Sequence, residues 1–122
     1  MTYDGRHLIA ELTGCAGLDD VALVERALTD AAAAAGATLL EIRLHSFGAG
    51  QGVTGVALLA ESLISIHTWP ERGYAAIDIF LCASWHDVEA GLAVIASALR
   101  AQQIDKQLIA RGPTSASRAD AA

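Results

Sequence analysis

Ser62, His67 and Cys82 bring a hydroxyl, an imidazole and a thiol into one short stretch of a chain otherwise poor in reactive groups. The stretch reads Glu61-Ser62-Leu63-Ile64-Ser65-Ile66-His67-Thr68-Trp69-Pro70-Glu71, followed by Gly73-Tyr74-Ala75-Ala76-Ile77-Asp78-Ile79-Phe80 and Cys82. A serine hydroxyl becomes a nucleophile when a neighbouring group takes its proton, and an imidazole titrates close enough to neutrality to do so. This set therefore permits acyl chemistry at Ser62. Attack on the serine's own preceding carbonyl needs a strained peptide bond, an aimed hydroxyl and a stabilised oxyanion. Glu61-Ser62 joins two apolar runs with no Gly or Asn to relax the turn, so strain is expected there. Each residue also has a plainer reading. Ser62 can be a turn serine, His67 a core or edge histidine, Cys82 a packed thiol and Trp69 a packed aromatic. Spacing alone favours the plainer readings of Ser62 and His67.

The 122 residues, more than half of them apolar, suit one domain over residues 1–111, with a small polar tail over 112–122 expected to be disordered. No apolar run is long enough to span a membrane, and no basic region precedes an apolar one at the start, so a cytoplasmic protein is expected. A net charge of −6 without clustered Lys or Arg argues against nucleic acid and favours a cationic or zwitterionic small molecule. Cys15 and Cys82 read as reduced thiols, and the four histidines form no metal-binding motif, so no metal is expected.

Hydrophobic periodicity supplies the elements that must position these groups. Residues 7–12 read as a first strand, ended by Gly14 and Gly17. Val21, Val24, Ala27, Leu28 and Ala31 fall at helical spacing behind an Asp20 N-cap, and Gly36 stops that helix. Strands are predicted at 38–45, 53–60, 63–67 and 74–81, with a Gly-rich loop at 48–52 and a turn at 70–73. A helix from Asp87 to about Ala101 and a last strand over 106–109 complete the pattern.

At an offset of 67 residues the chain echoes itself: Glu11 falls on Asp78, Leu12 on Ile79, Cys15 on Cys82, Ala16 on Ala83, Asp20 on Asp87 and Val21 on Val88. This weak internal duplication predicts two strand-helix-strand units sharing a sheet. The expected class is α+β, a two-layer sandwich with a mostly antiparallel sheet and two helices on one face.

The spelling of residues 55–82, with Gly5-Arg6-His7-Leu8 near the start, resembles the prokaryotic S-adenosylmethionine decarboxylase proenzymes. These are self-cleaving, pyruvoyl-dependent enzymes. The resemblance implies that Ser62 Oγ attacks the Glu61 carbonyl to form an ester and that elimination and hydrolysis leave a covalent pyruvoyl group derived from Ser62. A β chain 1–61 and an α chain 62–122 would result. His67 matches the histidine that assists processing, and Thr54 stands where a processing serine is typical. Cys82 matches the cysteine that protonates the decarboxylated carbon, whereas Cys15 has no match and reads as structural. The pyruvoyl group would act as an electron sink through a Schiff base with the substrate's α-amine, with no diffusible cofactor.

A sulfonium substrate needs aromatic faces and acidic groups. By the resemblance, Phe47 stacks on adenine, Glu71 accepts from the ribose hydroxyls and Trp69 lines the pocket. Because pockets in this family form between protomers, at least a homodimer is implied, with Phe47 serving the other protomer.

Three departures from the family pattern stand out. Leu63 replaces a histidine, Thr54 replaces a serine with a β-branched residue, and Leu81-Cys82-Ala83 replaces Thr-Cys-Gly. Three functions are therefore weighed. They are decarboxylation of S-adenosylmethionine for spermidine synthesis, decarboxylation of ornithine or arginine on the same scaffold, and a binding scaffold that never cleaves.

Overall fold

The computed structural model of the protein describes residues 5–113. The tail expected to be disordered lies outside the described residues from position 114 onward. Six strands and two helices are present: β1 (Gly5–Thr13), α1 (Val21–Ala34), β2 (Leu39–Ser46), β3 (Val53–Leu59), β4 (Ser62–Trp69), β5 (Tyr74–Leu81), α2 (Val88–Ala98) and β6 (Gln103–Arg111). A 3-10 turn at Pro70–Arg72 joins β4 to β5. The strands form one sheet in the order β2-β3-β4-β5-β1-β6, and every neighbouring pair is antiparallel. Both helices pack side by side on one face, giving the expected two-layer α+β arrangement.

Alternation along the strands decides what that layer buries. Leu8, Ala10 and Leu12 on β1, Ile64 and Ile66 on β4, and Ile77 and Ile79 on β5 all point under the helices and are essentially inaccessible. α1 answers with Val24, Leu28 and Ala31, and α2 with Leu92 and Ile95. The alanine run lets the helices approach closely: a Cβ added at Gly91 would sit 3.5 Å from the Ala31 carbonyl and 3.6 Å from Ala35 Cβ.

The internal echo has a structural counterpart. Asp20 accepts from Leu23 N–H at 3.1 Å and Asp87 from Ala90 N–H at 3.0 Å, so the same cap recurs 67 residues apart. At the centre of the sheet Ala10 faces Ile77, a pair with that same separation. An approximate twofold axis thus passes between β1 and β5. The symmetry is partial, because β6 pairs with β1 whereas the β3–β4 hairpin keeps β2 away from β5.

Most strands differ from the sequence reading by one or two residues at their ends, with the β3–β4 turn falling on Ala60-Glu61 rather than Glu61-Ser62, and two elements differ by more. α2 stops at Ala98 rather than about Ala101, because Arg100 takes a left-handed φ of 55° and Ala101 N–H returns to the Ala96 carbonyl. No glycine marks that stop. β6 covers Gln103–Arg111 rather than 106–109, since it pairs along the whole of β1. Lying at the sheet edge and largely exposed, it lacks the buried alternation that reveals a strand.

Candidate functional site

The turn between β3 and β4 contains only Ala60 and Glu61. Glu61 sits at φ 61°, one of two non-glycine residues with positive φ among the described residues. A Cβ is crowded against the carbonyl in that region, at a cost of about 1–2 kcal/mol. The strain expected at this bond is therefore present as an unfavourable backbone conformation. Ala60 N–H donates to the Thr38 carbonyl at 2.9 Å and anchors the turn to the chain ahead of β2. In an uncleavable Ser62→Ala background, Glu61→Gly should raise stability by about 0.5–1 kcal/mol. Denaturant midpoints would check this, and an unchanged or lowered midpoint would remove strain from the account.

Ser62 opens β4, and its Oγ accepts a hydrogen bond from the Cys82 backbone N–H at 3.1 Å. β4 and β5 bring the two residues together by pairing antiparallel from Leu63–Phe80 to Trp69–Tyr74. A cavity of about 410 Å³ adjoins this corner, lined by Gly36, Thr38, Glu61, Cys82, Trp85 and His86 among others. Arg6, opposite Leu81 in the β1–β5 ladder, reaches over the loop after β5 and donates from Nη2 to the carbonyls of Ala83 and His86. That grip fixes the loop carrying Cys82. His86 is buried, and burial, with the Arg6 charge as a second cause, pushes its pKa below the usual imidazole value. Trp85 stands 76% exposed at the cavity, its ring edge-on to His86 at 5.4 Å. Sequence reasoning assigned no role to Arg6, Trp85 or His86, although the last two lie only three and four residues past Cys82.

A second locus lies further along β3 and β4. Thr54 and His67 face each other in the β3–β4 ladder, with Thr54 Oγ1 3.2 Å from His67 Nδ1. They line a cavity of about 330 Å³ together with Phe47, Trp69 and Glu71. Phe47 is 62% exposed, on a loop closed by its N–H bond to the Gly52 carbonyl. Gly52 is required there, because a Cβ would lie 2.2 Å from the Thr68 carbonyl oxygen. Trp69 stacks on Tyr74 at 5.0 Å, which occupies one face of the indole. Tyr74 in turn donates to Glu11, and that hydrogen bond, with burial and the charges of Glu11 and Asp78, pushes the phenol pKa up to about 12. It remains a donor throughout the neutral range.

The structure thus gathers the residues singled out from sequence into two places. Glu61, Ser62 and Cys82 meet at one corner; Phe47, Thr54, His67, Trp69 and Glu71 meet at the other. Five residues of extended strand separate Ser62 from His67, roughly 16 Å, and their odd spacing turns the side chains to opposite faces. His67 cannot touch Ser62 within one protomer.

His67 belongs to the sheet face that no helix covers. Around it stand half-buried Ile9, Val56, Leu63 and Phe80, the more exposed Leu58, and a polar chain in which His7 Nε2 and Ser65 Oγ approach the Asp78 carboxylate at 3.1 and 3.3 Å. Cys15, expected to be structural, packs beside the core with its thiol pKa pushed up by burial.

Residues 6–112 match the family model described as S-adenosylmethionine decarboxylase. The chain is 44% identical to an S-adenosylmethionine decarboxylase proenzyme of Thermomicrobium roseum, over 88% of this chain and 93% of that protein. It is 51% identical to one of Methanococcus aeolicus, over 92% and 97% respectively. For one of Parasynechococcus marenigrum the identity is 55%, over 81% and 78%. The crystal structure of the adenosylmethionine decarboxylase of Aquifex aeolicus is similar with a TM-score of 0.83 and 34% identity, covering 93% of this chain and 94% of that one.

Proposed function

Because the chain belongs to the S-adenosylmethionine decarboxylase family, we propose that it cuts itself between Glu61 and Ser62, converts residue 62 into a covalent pyruvoyl group and removes CO₂ from S-adenosylmethionine. The decarboxylated product is the aminopropyl donor for spermidine synthesis. One observation carries the reading: a non-glycine residue held at positive φ directly before a serine whose hydroxyl is already fixed by a backbone N–H. The residues present fit the group. The Ser62 oxygen departs with the Glu61 carboxylate and the ketone oxygen arises on Cα in place of the residue-62 nitrogen. The Cys82 N–H that now holds the hydroxyl would then be free to donate to an oxygen of the new group, and the adjoining cavity has room for an amino-acid head. When formed, the group supplies a carbonyl electron sink.

Everything else is the work of this chain's side chains. Strain at Glu61 raises the energy of the peptide bond before attack. The Cys82 thiol, held at the corner by the Arg6 grip on its loop, delivers a proton to the carbon that has lost CO₂. Phe47 and Trp69 offer aromatic faces to a sulfonium or adenine, and Glu71 accepts from ribose hydroxyls. That combination suits a nucleoside substrate better than ornithine or arginine, and the relatives are named for S-adenosylmethionine.

The distance between the two loci supports a homodimer. A two-layer protomer leaves one sheet face bare, and this one mixes apolar residues with the Thr54–His67 pair. A second copy seated on that face brings its Thr54 and His67, with Phe47, Trp69 and Glu71, toward the Glu61–Ser62 bond, which stands at the turn that opens β4 rather than within either sheet face. His67 then acts as the proton acceptor during cleavage in trans. Among the described residues no helix is long and apolar enough to cross a membrane, in keeping with a proposed cytoplasmic site of action.

Cys82→Ala tests the division of labour. It keeps the backbone N–H that holds Ser62, so the chain should still be cut, while CO₂ release falls by about 10²-fold or more. Mass spectrometry and a CO₂ assay read the two steps separately. Unchanged turnover would take Cys82 out of the mechanism.

A further inference from the structure

We propose that His86 is a substrate-positioning residue whose Nε2–H binds the carboxylate of the amino-acid substrate, holding it beside residue 62 and Cys82. This assignment rests on the decarboxylase reading of the same cavity. His86 is 8% exposed and lines the cavity shared by Glu61 and Cys82. Its Nδ1 is sealed from solvent without a hydrogen-bond partner, whereas Nε2 is not among the sealed, unpartnered atoms, so Nε2 is the ring nitrogen left open toward the cavity. Arg6 Nε is the other sealed and unpartnered atom among the described residues. A sealed, unpartnered N–H costs more than a sealed, unpartnered lone pair, and the Arg6 charge disfavours a second proton on the ring, so the lone pair belongs on Nδ1 and the proton on Nε2. Burial and the Arg6 charge both lower the His86 pKa, which keeps the ring neutral near pH 7.

A neutral donor suits this reaction. Loss of CO₂ removes the charge from the carboxylate, so a cation bound directly to it would stabilise the starting state more than the transition state. An imidazole N–H orients the carboxylate with less of that penalty. Arg6 contributes positive charge from behind the ring, with its own Nη2 committed to the Ala83 and His86 carbonyls. Glu61 and Cys82 are the other ionisable side chains of the lining. Neither can serve as a cationic anchor.

The test compares S-adenosylmethionine with its decarboxylated form, which lacks only the carboxylate, by calorimetric titration of Ser62→Ala protein with His86 intact or replaced. His86→Phe should weaken S-adenosylmethionine about ten- to a hundred-fold and change the decarboxylated ligand by less than about two-fold. His86→Gln, which keeps an N–H donor, should recover part of the loss. Equal weakening of both ligands, or no effect on either, would overturn the assignment while leaving the decarboxylase reading standing. Failure of both wild-type and Ser62→Ala protein to bind either ligand would overturn the substrate reading and this assignment with it.

Discussion

Ser62→Ala protein should emerge as a single uncut chain with decarboxylation reduced by at least about 10⁴-fold, since it loses both the nucleophile for cleavage and the source of the carbonyl group. Wild-type protein under denaturing conditions should instead give two masses meeting at Glu61/Ser62, the second lighter by one ammonia than a serine-started chain. The substitution removes one hydrogen bond, that from Cys82 N–H, so it should cost only about 1 kcal/mol and leave the fold intact. A circular dichroism melt separates loss of chemistry from loss of structure. A cut or fully active Ser62→Ala protein would sink the pyruvoyl assignment. An uncut wild-type chain that still releases CO₂ would sink it equally.

The second large effect concerns His67. Alone, His67→Ala should leave the chain uncut, because the proton acceptor for Ser62 is gone. If His67 acts across a dimer, co-expression with Ser62→Ala should restore cleavage of the His67→Ala chain, since a mixed dimer contains one corner with an intact Ser62 facing an intact His67. Random pairing would rescue about half of the His67→Ala chains. The Ser62→Ala chain stays whole in the same mixture, which serves as an internal control. Efficient cleavage of His67→Ala by itself would show that the imidazole is dispensable. An uncut His67→Ala chain that mixing fails to rescue would rule out supply in trans and require a rearrangement of β4, because Ser62 and His67 point to opposite faces of one strand.

Much of the architecture is legible in the sequence because it follows from local rules. Asp20 and Asp87 cap helices where their spacing predicts, Gly36 takes a left-handed φ of 80° just past α1, and the strands from β1 to β5 fall on apolar or alternating runs. The largest misjudged ends belong to β6 and α2. β6 is an exposed edge strand specified by its partner β1, and α2 ends on an arginine at positive φ where a glycine would have been the signal.

The candidate residues divide in the same way. Types and order are local properties, so Ser62, His67, Cys82, Thr54, Phe47, Trp69, Glu61 and Glu71 can all be picked from the linear chain. So can backbone strain at the Glu61-Ser62 connection, since a tight turn without Gly or Asn between apolar runs has few conformations open to it, whereas its form, a left-handed Glu61, is seen only in the structure. Which of these groups meet is not a local property. Pairing of β4 with β5 places the Cys82 amide on the Ser62 hydroxyl, although twenty positions part them in sequence. Strand pleating, which alternates side chains between faces, sends His67 away from Ser62 despite a gap of only five. The Arg6 grip on the Cys82 loop depends on β1 inserting beside β5 and spans about two-thirds of the chain, so no window of sequence contains it. Residue chemistry is written along the chain, whereas the long-range pairing of strands decides which chemistry is shared within a protomer and which is presented on the bare face of the sheet.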